Sequence, residues 1–134
     1  MKILYQPLKT KWYRMIEAGI KLEEYRKGFY WVKRLCRSKG NCDFGGYCAI
    51  CTCISKGVPT DYTHVQFSLG YPKKDDGSRR MTFELKGIEY REGREEWGAE
   101  PGKKYLVEVL GRRTTLDGSK LWASLVRKER HYNR

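Results

Sequence analysis

Across a single glycine, Gly19, this chain switches its hydrophobic period from that of a helix to that of a strand. On the N-terminal side, Trp12, Met15 and Ile16 recur at helical spacing, and Thr10 offers a capping hydroxyl for a helix over 10–18. Gly19 can end that helix in a left-handed turn without the clash a Cβ would bring. On the C-terminal side, a strand over 22–27 alternates its side chains, so Leu22, Glu24 and Arg26 share one face and Glu23 and Tyr25 the other. Lys21 then lies at the mouth of the turn. An amine, a carboxylate and a guanidinium at one strand entrance can grip a polar ligand or move a proton. Left on an open surface, the same groups form only an ion pair worth about 0–1 kcal/mol.

The rest of the chain reads as short strands punctuated by turns. Alternation marks strands over 2–5, ended by Pro7, over 64–69 with Val65, Phe67 and Leu69 on one face, over 79–90 with a bend at Gly87, and over 104–110. In the last of these, Tyr105, Val107 and Val109 alternate against Leu106, Glu108 and Leu110. Weaker strand patterns cover 47–54 and 121–126. Turn chemistry stands at Gly70-Tyr71-Pro72, Asp76-Gly77 and Asp117-Gly118. Between the first two strands, Phe29, Tyr30, Trp31 and Val32 sit among basic residues, and Gly28 argues against an uninterrupted strand. A loop and a short helical turn follow, with Trp31 packed inward and Lys33 and Arg34 outward. A chain of 134 residues supports one domain with one core. The predicted fold is α+β: a small, mostly antiparallel β-barrel with one or two short helices over 1–134, and a charged tail at 128–134 that frays.

Charge narrows the partners. Twenty-eight Lys and Arg against sixteen Asp and Glu leave +12, which favours polyanions, because each phosphate neutralised releases counterions. Ten tyrosines, four tryptophans and four phenylalanines add surfaces on which unpaired bases can stack. No apolar run approaches the ~20 residues that span a bilayer. Met1-Lys2-Ile3-Leu4-Tyr5 lacks the apolar core of a signal peptide, so a cytoplasmic location without membrane association is expected.

The segment 36–60 departs from this pattern. It is rich in Cys and Gly and poor in large aliphatics, and it is too short for a core of its own, which marks it as an insertion into the domain. In a reducing compartment its cysteines are ligands or bystanders before they are a disulfide framework. Zinc takes four soft ligands at tetrahedral corners, and Cys48 and Cys51 form a C-x2-C pair that supplies two of them from one turn. Cys36 and Cys42 complete a candidate structural site, with His64 as a substitute ligand. The usual two-pair spacing is absent, however, because Cys36 and Cys42 are separated by five residues. Free or buried thiols are the competing reading, and a disulfide the third.

Taken in order, the helix, then Gly19, Lys21, Glu24 and Arg26, then Trp31 and Arg34, the strand ending Phe67-Ser68-Leu69-Gly70-Tyr71, the strand Met81-Thr82-Phe83-Glu84, Glu96-Trp97-Gly98 and the strand from Tyr105 to Gly111 resemble the signature of the ASCH domain family. That resemblance implies a barrel related to the PUA fold and the binding of RNA or nucleotides, with enzymatic action on nucleic acid or a modified nucleoside in some members. On the binding reading, Lys21 and Arg26 hold phosphate or a base edge, Arg34 and Arg80 extend the positive rim, and Tyr71 or Trp97 stacks a base. On the hydrolase reading, as a ribonuclease or an N4-acetylcytidine amidohydrolase, Lys21 and Glu24 are the catalytic candidates. The amidohydrolases of the family use a threonine nucleophile where this chain has Glu24, which removes that nucleophile. Glu24 beside Lys21 favours the charged amine, which makes Lys21 a clamp rather than a base. A protein-interaction domain using the cysteine segment is the third function class. His64, in a strand, and His131, in the tail, receive no catalytic role, and the sequence displays no paired-carboxylate motif.

Overall fold

A computed structural model describes residues 1–37 and 57–114. The helix–glycine–strand unit forms as its pattern requires: α1 spans Thr10–Glu17, and Gly19 adopts a φ of 77°. The backbone N–H groups of Ile20 and Lys21 both donate to Met15 O, at 2.9 and 3.1 Å, so the chain reverses at once and turns Lys21 inward. Strand β2 is Glu23–Arg26. Leu22 lies outside it and is exposed, which corrects the expectation that it shares a strand face with Glu24 and Arg26. Thr10 is the first helical residue rather than the cap, a position taken by Lys9, which makes no capping bond through its side chain.

Five strands form one sheet in the order β1-β3-β4-β5-β2. The others are β1 (Ile3–Leu8), β3 (His64–Leu69), β4 (Arg80–Glu92) and β5 (Lys104–Arg113), and a second helix, α2 (Phe29–Leu35), follows β2. β1 runs parallel to β3, and the other three pairings are antiparallel. The result is an α+β fold whose sheet curls into a half-barrel. Pro7 does not end β1, because β1 is an edge strand on which a missing N–H interrupts no ladder. Shifts in register between Phe83 and Leu85 and between Leu85 and Gly87 bend β4, which is how one strand runs past Gly87 as far as Glu92.

The main core gathers Leu4, Tyr13, Ile16, Val32, Leu35, Val65, Phe67, Met81 and Ile88, with Trp31 packed against it. A second cluster gathers Tyr25 of β2, Tyr105 and Val107 of β5, and Trp97 and Ala99, and Met15 packs on it. Helix α1 thus serves two cores. Tyr13 and Ile16 are buried in the first, while Trp12 and Met15 are only half-buried, in contrast to the single inner face of Trp12, Met15 and Ile16 expected from spacing.

The cysteine segment falls largely outside the described residues, as do Cys42, Cys48, Cys51 and Cys53, the 47–54 and 121–126 strand patterns and the 128–134 tail. Cys36 is buried in the main core at the end of α2. At the two ends of the gap, Arg37 N donates to Pro59 O at 2.7 Å, and Val58 N donates to Ile88 O at 2.8 Å. Among the described residues, no group of three or more His, Cys, Asp or Glu is placed to hold a metal, and no helix is long and apolar enough to cross a membrane.

Candidate functional site

Strands β1 and β2 stand at opposite ends of the strand order, yet the curl of the sheet brings their side chains together. Gln6 of β1 donates through Nε2 to Glu108 Oε1 on β5 at 2.6 Å and accepts at Oε1 from Arg26 Nε on β2 at 2.5 Å. A polar seam therefore joins two edges that share no backbone ladder. Above it lies a concavity of about 340 Å³. Its floor is Lys21, Glu24 and Arg26, its walls include Trp12, Tyr25 and Tyr105, and Leu8 and Lys9 form one rim.

Each floor residue is held in place. Lys21 is almost wholly buried, at 1% exposure. Its Nζ donates to Trp97 O at 2.7 Å and to Glu24 Oε1 at 3.2 Å, and stands 4.4 Å from the centre of the Trp12 ring. Arg26 lies 4.6 Å from the Trp31 ring centre, and Arg34 approaches the same ring at 5.2 Å. The glutamates on the two faces of β2 differ. Glu23 is saturated: Tyr25 Oη donates to Oε1 at 2.6 Å, and Arg91 donates to both oxygens. Burial raises the Glu23 pKa, but the Arg91 and Tyr25 bonds outweigh it and hold the carboxyl below its ordinary value. Glu24 accepts at Oε1 from Lys21 and from Tyr25 N, whereas its Oε2 is buried with no hydrogen-bond partner among the described residues.

Directly across the β2–β5 ladder from Glu24 stands Glu108. It is fully buried, and its Oε2 also lacks a hydrogen-bond partner among the described residues. Burial pushes its pKa up to about 7; Arg26 and the Gln6 bond oppose the rise, and the Glu24 charge adds to it. The structure thus contains the paired carboxylates that no local motif announced. Their signal was Glu108 on a strand face otherwise made of leucines, where a charged residue has to find a partner. Gln6 gave even less warning, because it stands in a strand whose curl cannot be read locally.

At Lys21 burial and the neighbouring carboxylate act in opposite directions. Burial lowers its pKa, and the opposing effect of Glu24 does not restore the ordinary value. The ammonium is therefore easier to deprotonate than an exposed lysine, the direction a lysine base requires.

Four of the residues singled out from sequence meet at the concavity: Lys21, Glu24, Arg26 and Trp97. The Trp97 ring is packed in the second cluster, and its carbonyl is the group that faces Lys21. Arg34 stands behind Trp31 and donates to Tyr5 O at 3.1 Å. Arg80 lies apart, half-buried, donating to Lys73 O at 2.8 Å and so holding the loop before β4. Tyr71 is outside the concavity and 92% exposed. His64 bonds to Thr63 Oγ1 through Nδ1, and His131 lies outside the described residues.

No protein-family model, no curated protein and no solved structure matches this chain.

Proposed function

We propose that the concavity binds one nucleobase of a nucleotide or RNA, as the ASCH resemblance implies, within a PUA-like barrel in a cytoplasmic protein. The observation that carries the reading is the unpartnered Glu24 Oε2, a buried acceptor in the floor of an aromatic-walled pocket. A buried carboxylate oxygen without a donor is costly, and a ligand N–H removes that cost. The volume is at the small end of ligand sites, about 300–1,000 Å³. Trp12, Tyr25 and Tyr105 suit a flat heterocycle, and Lys21 and Arg26 offer donors beside the Glu24 acceptor. A base edge with adjacent N–H and carbonyl groups meets both. The net charge of +12 supplies the attraction for phosphate.

Glu24→Gln tests this with little change in shape. Both groups now at Oε1, Lys21 Nζ and Tyr25 N, are donors, so the glutamine carbonyl has to take that place and its NH2 has to take the place of Oε2. The pocket acceptor becomes a donor. Titration with the four nucleoside monophosphates is expected to show the preferred base weakened about 5- to 150-fold in the variant, since a mismatched buried polar pair costs about 1–3 kcal/mol. Unchanged affinity for every base would remove Glu24 from recognition.

The opposed Glu24 and Glu108 favour a second reading, hydrolysis of RNA or a nucleoside. Burial, with a smaller addition from the Glu24 charge, raises the Glu108 pKa to about 7, so Glu108 can hold a proton near neutral pH, the state a general acid needs. Product mass after incubation with RNA separates the readings. The cysteine segment keeps its own alternatives, a structural zinc on Cys36, Cys42, Cys48 and Cys51, thiols without metal, or a disulfide; metal analysis and thiol titration of the purified protein decide among them.

A further inference from the structure

The concavity does not end at its rim. Pro7, Leu8 and Lys9, where β1 passes into α1, line it on one side and on the other line a second groove of about 490 Å³. Arg79 and Tyr71 form the far wall of that groove. Tyr71 follows Gly70, whose φ of 63° turns the chain at the end of β3, and this turn lifts the ring out of the core. At 92% exposure the ring has almost no packing role, unlike Tyr13, Tyr25 and Tyr105, which are all buried. Its surroundings are basic: Lys9, Arg79 and the neighbouring Lys73 are exposed. The opposing charges are few. Asp76 lies 3.6 Å from Arg79 and is held by Ser78, Asp75 is exposed in the same loop, and the first turn of α1 carries no carboxylate.

We infer that the ligand is a single strand rather than a free nucleotide. One base occupies the pocket over Glu24, its neighbour stacks on Tyr71, and the phosphate between them crosses the Leu8–Lys9 rim toward Lys9 and Arg79. This inference rests on the reading of the first pocket and adds the substrate class. A free nucleoside monophosphate would fill the first pocket and leave the joined groove empty. A duplex would keep its bases stacked on one another and present neither face to Tyr71.

The experiment compares two probes on three proteins. The probes are the nucleoside monophosphate preferred by the wild type and a mixed-sequence, fluorescently labelled RNA of about six nucleotides, the length scale of a single-strand groove. The proteins are wild type, Tyr71→Ala and Arg79→Ala; both substitutions are at exposed side chains outside the core and spare the fold. The wild type is expected to bind the six-mer at least tenfold more tightly than the monophosphate. Tyr71→Ala is expected to weaken the six-mer by about 5- to 150-fold, the range of one aromatic stack, and to leave the monophosphate unchanged. Arg79→Ala is expected to reduce the slope of log affinity against log salt for the six-mer by about 0.7, one phosphate contact on a single strand. Equal affinity for both probes, or a Tyr71→Ala protein that binds the six-mer as wild type does, overturns the second position and leaves the first pocket standing. Loss of the monophosphate as well as the six-mer in Tyr71→Ala overturns the separation of the two positions. Binding of neither probe by wild type overturns both readings.

Discussion

Glu108→Gln should make this protein more stable at neutral pH and should flatten its dependence on pH. The reasoning starts from a carboxyl that is fully buried, stands across a strand pair from a second carboxyl, and has one oxygen without a hydrogen-bond partner among the described residues. Burial is the chief reason that its pKa rises from an ordinary 4.5 to about 7. Between those values the folded chain holds a proton that the unfolded chain has released, so stability falls as pH rises through the interval. The contribution is full below the unfolded value and is lost above the folded one. With these two pKa values, the loss between pH 5 and pH 8 comes to about 2.5 kcal/mol, since each unit of separation carries about 1.4 kcal/mol. A glutamine keeps the shape, accepts from Gln6 through its carbonyl and cannot ionise. Urea unfolding of both proteins at the two pH values gives the difference directly, and every other titrating group is common to both. The variant is expected to gain on wild type by about 2.5 kcal/mol on going from the lower pH to the higher. Parallel pH profiles would mean that Glu108 is ionised in the fold at the same pH as in the unfolded chain, and the paired-carboxylate account of the seam would be wrong.

Two further substitutions probe the same region. Lys21→Met removes the cation from a buried pair and leaves Glu24 uncompensated, which should cost about 3–5 kcal/mol in denaturant unfolding, and adding Glu24→Gln should restore part of it; strict additivity of the two changes would show that the pair is not coupled. Gly98→Ala puts a Cβ 2.9 Å from Trp12 Cζ2 at a φ of 102°, so a loss of about 1–3 kcal/mol is expected together with weaker ligand binding as Trp12 is pushed from the pocket wall; wild-type affinity in a folded variant would detach Trp12 from the site.

Sequence patterns located what is local and missed what depends on the curl. The helix before Gly19, the strand after it and β3 follow from period and turn chemistry alone, because each is set by residues within a turn or two of one another. Lys21, Glu24, Arg26 and Trp97, which the sequence singles out, line one concavity, and three of them come from one short segment. Pro7 looks like a break because edge and centre are identical in a strand's own sequence, and only the strand order makes Pro7 harmless. Spacing alone does not select Tyr13, because a helix serving two cores buries a wider arc than a single stripe predicts. Glu108 and Gln6 are the deepest omission. They reach the site from β5 and β1, and nothing near either residue tells which strand will lie beside it.

The seam between β1 and β2 bears on how this chain behaves beside its own copies. Edge strands carry unpaired N–H and C=O groups that invite a strand from another molecule. Here the two edges are turned toward each other, one carrying Pro7, which has no N–H to offer a further strand, and the other only four residues long. The Gln6 bridge holds them there with side chains instead of a ladder. Such a closure is lighter than a sealed barrel: a sheet that flattens by losing a few polar bonds frees both edges at once. Arg26 belongs both to the pocket floor and to this bridge, so a change made there in pursuit of altered binding also loosens the closure of the two edges and carries a solubility cost.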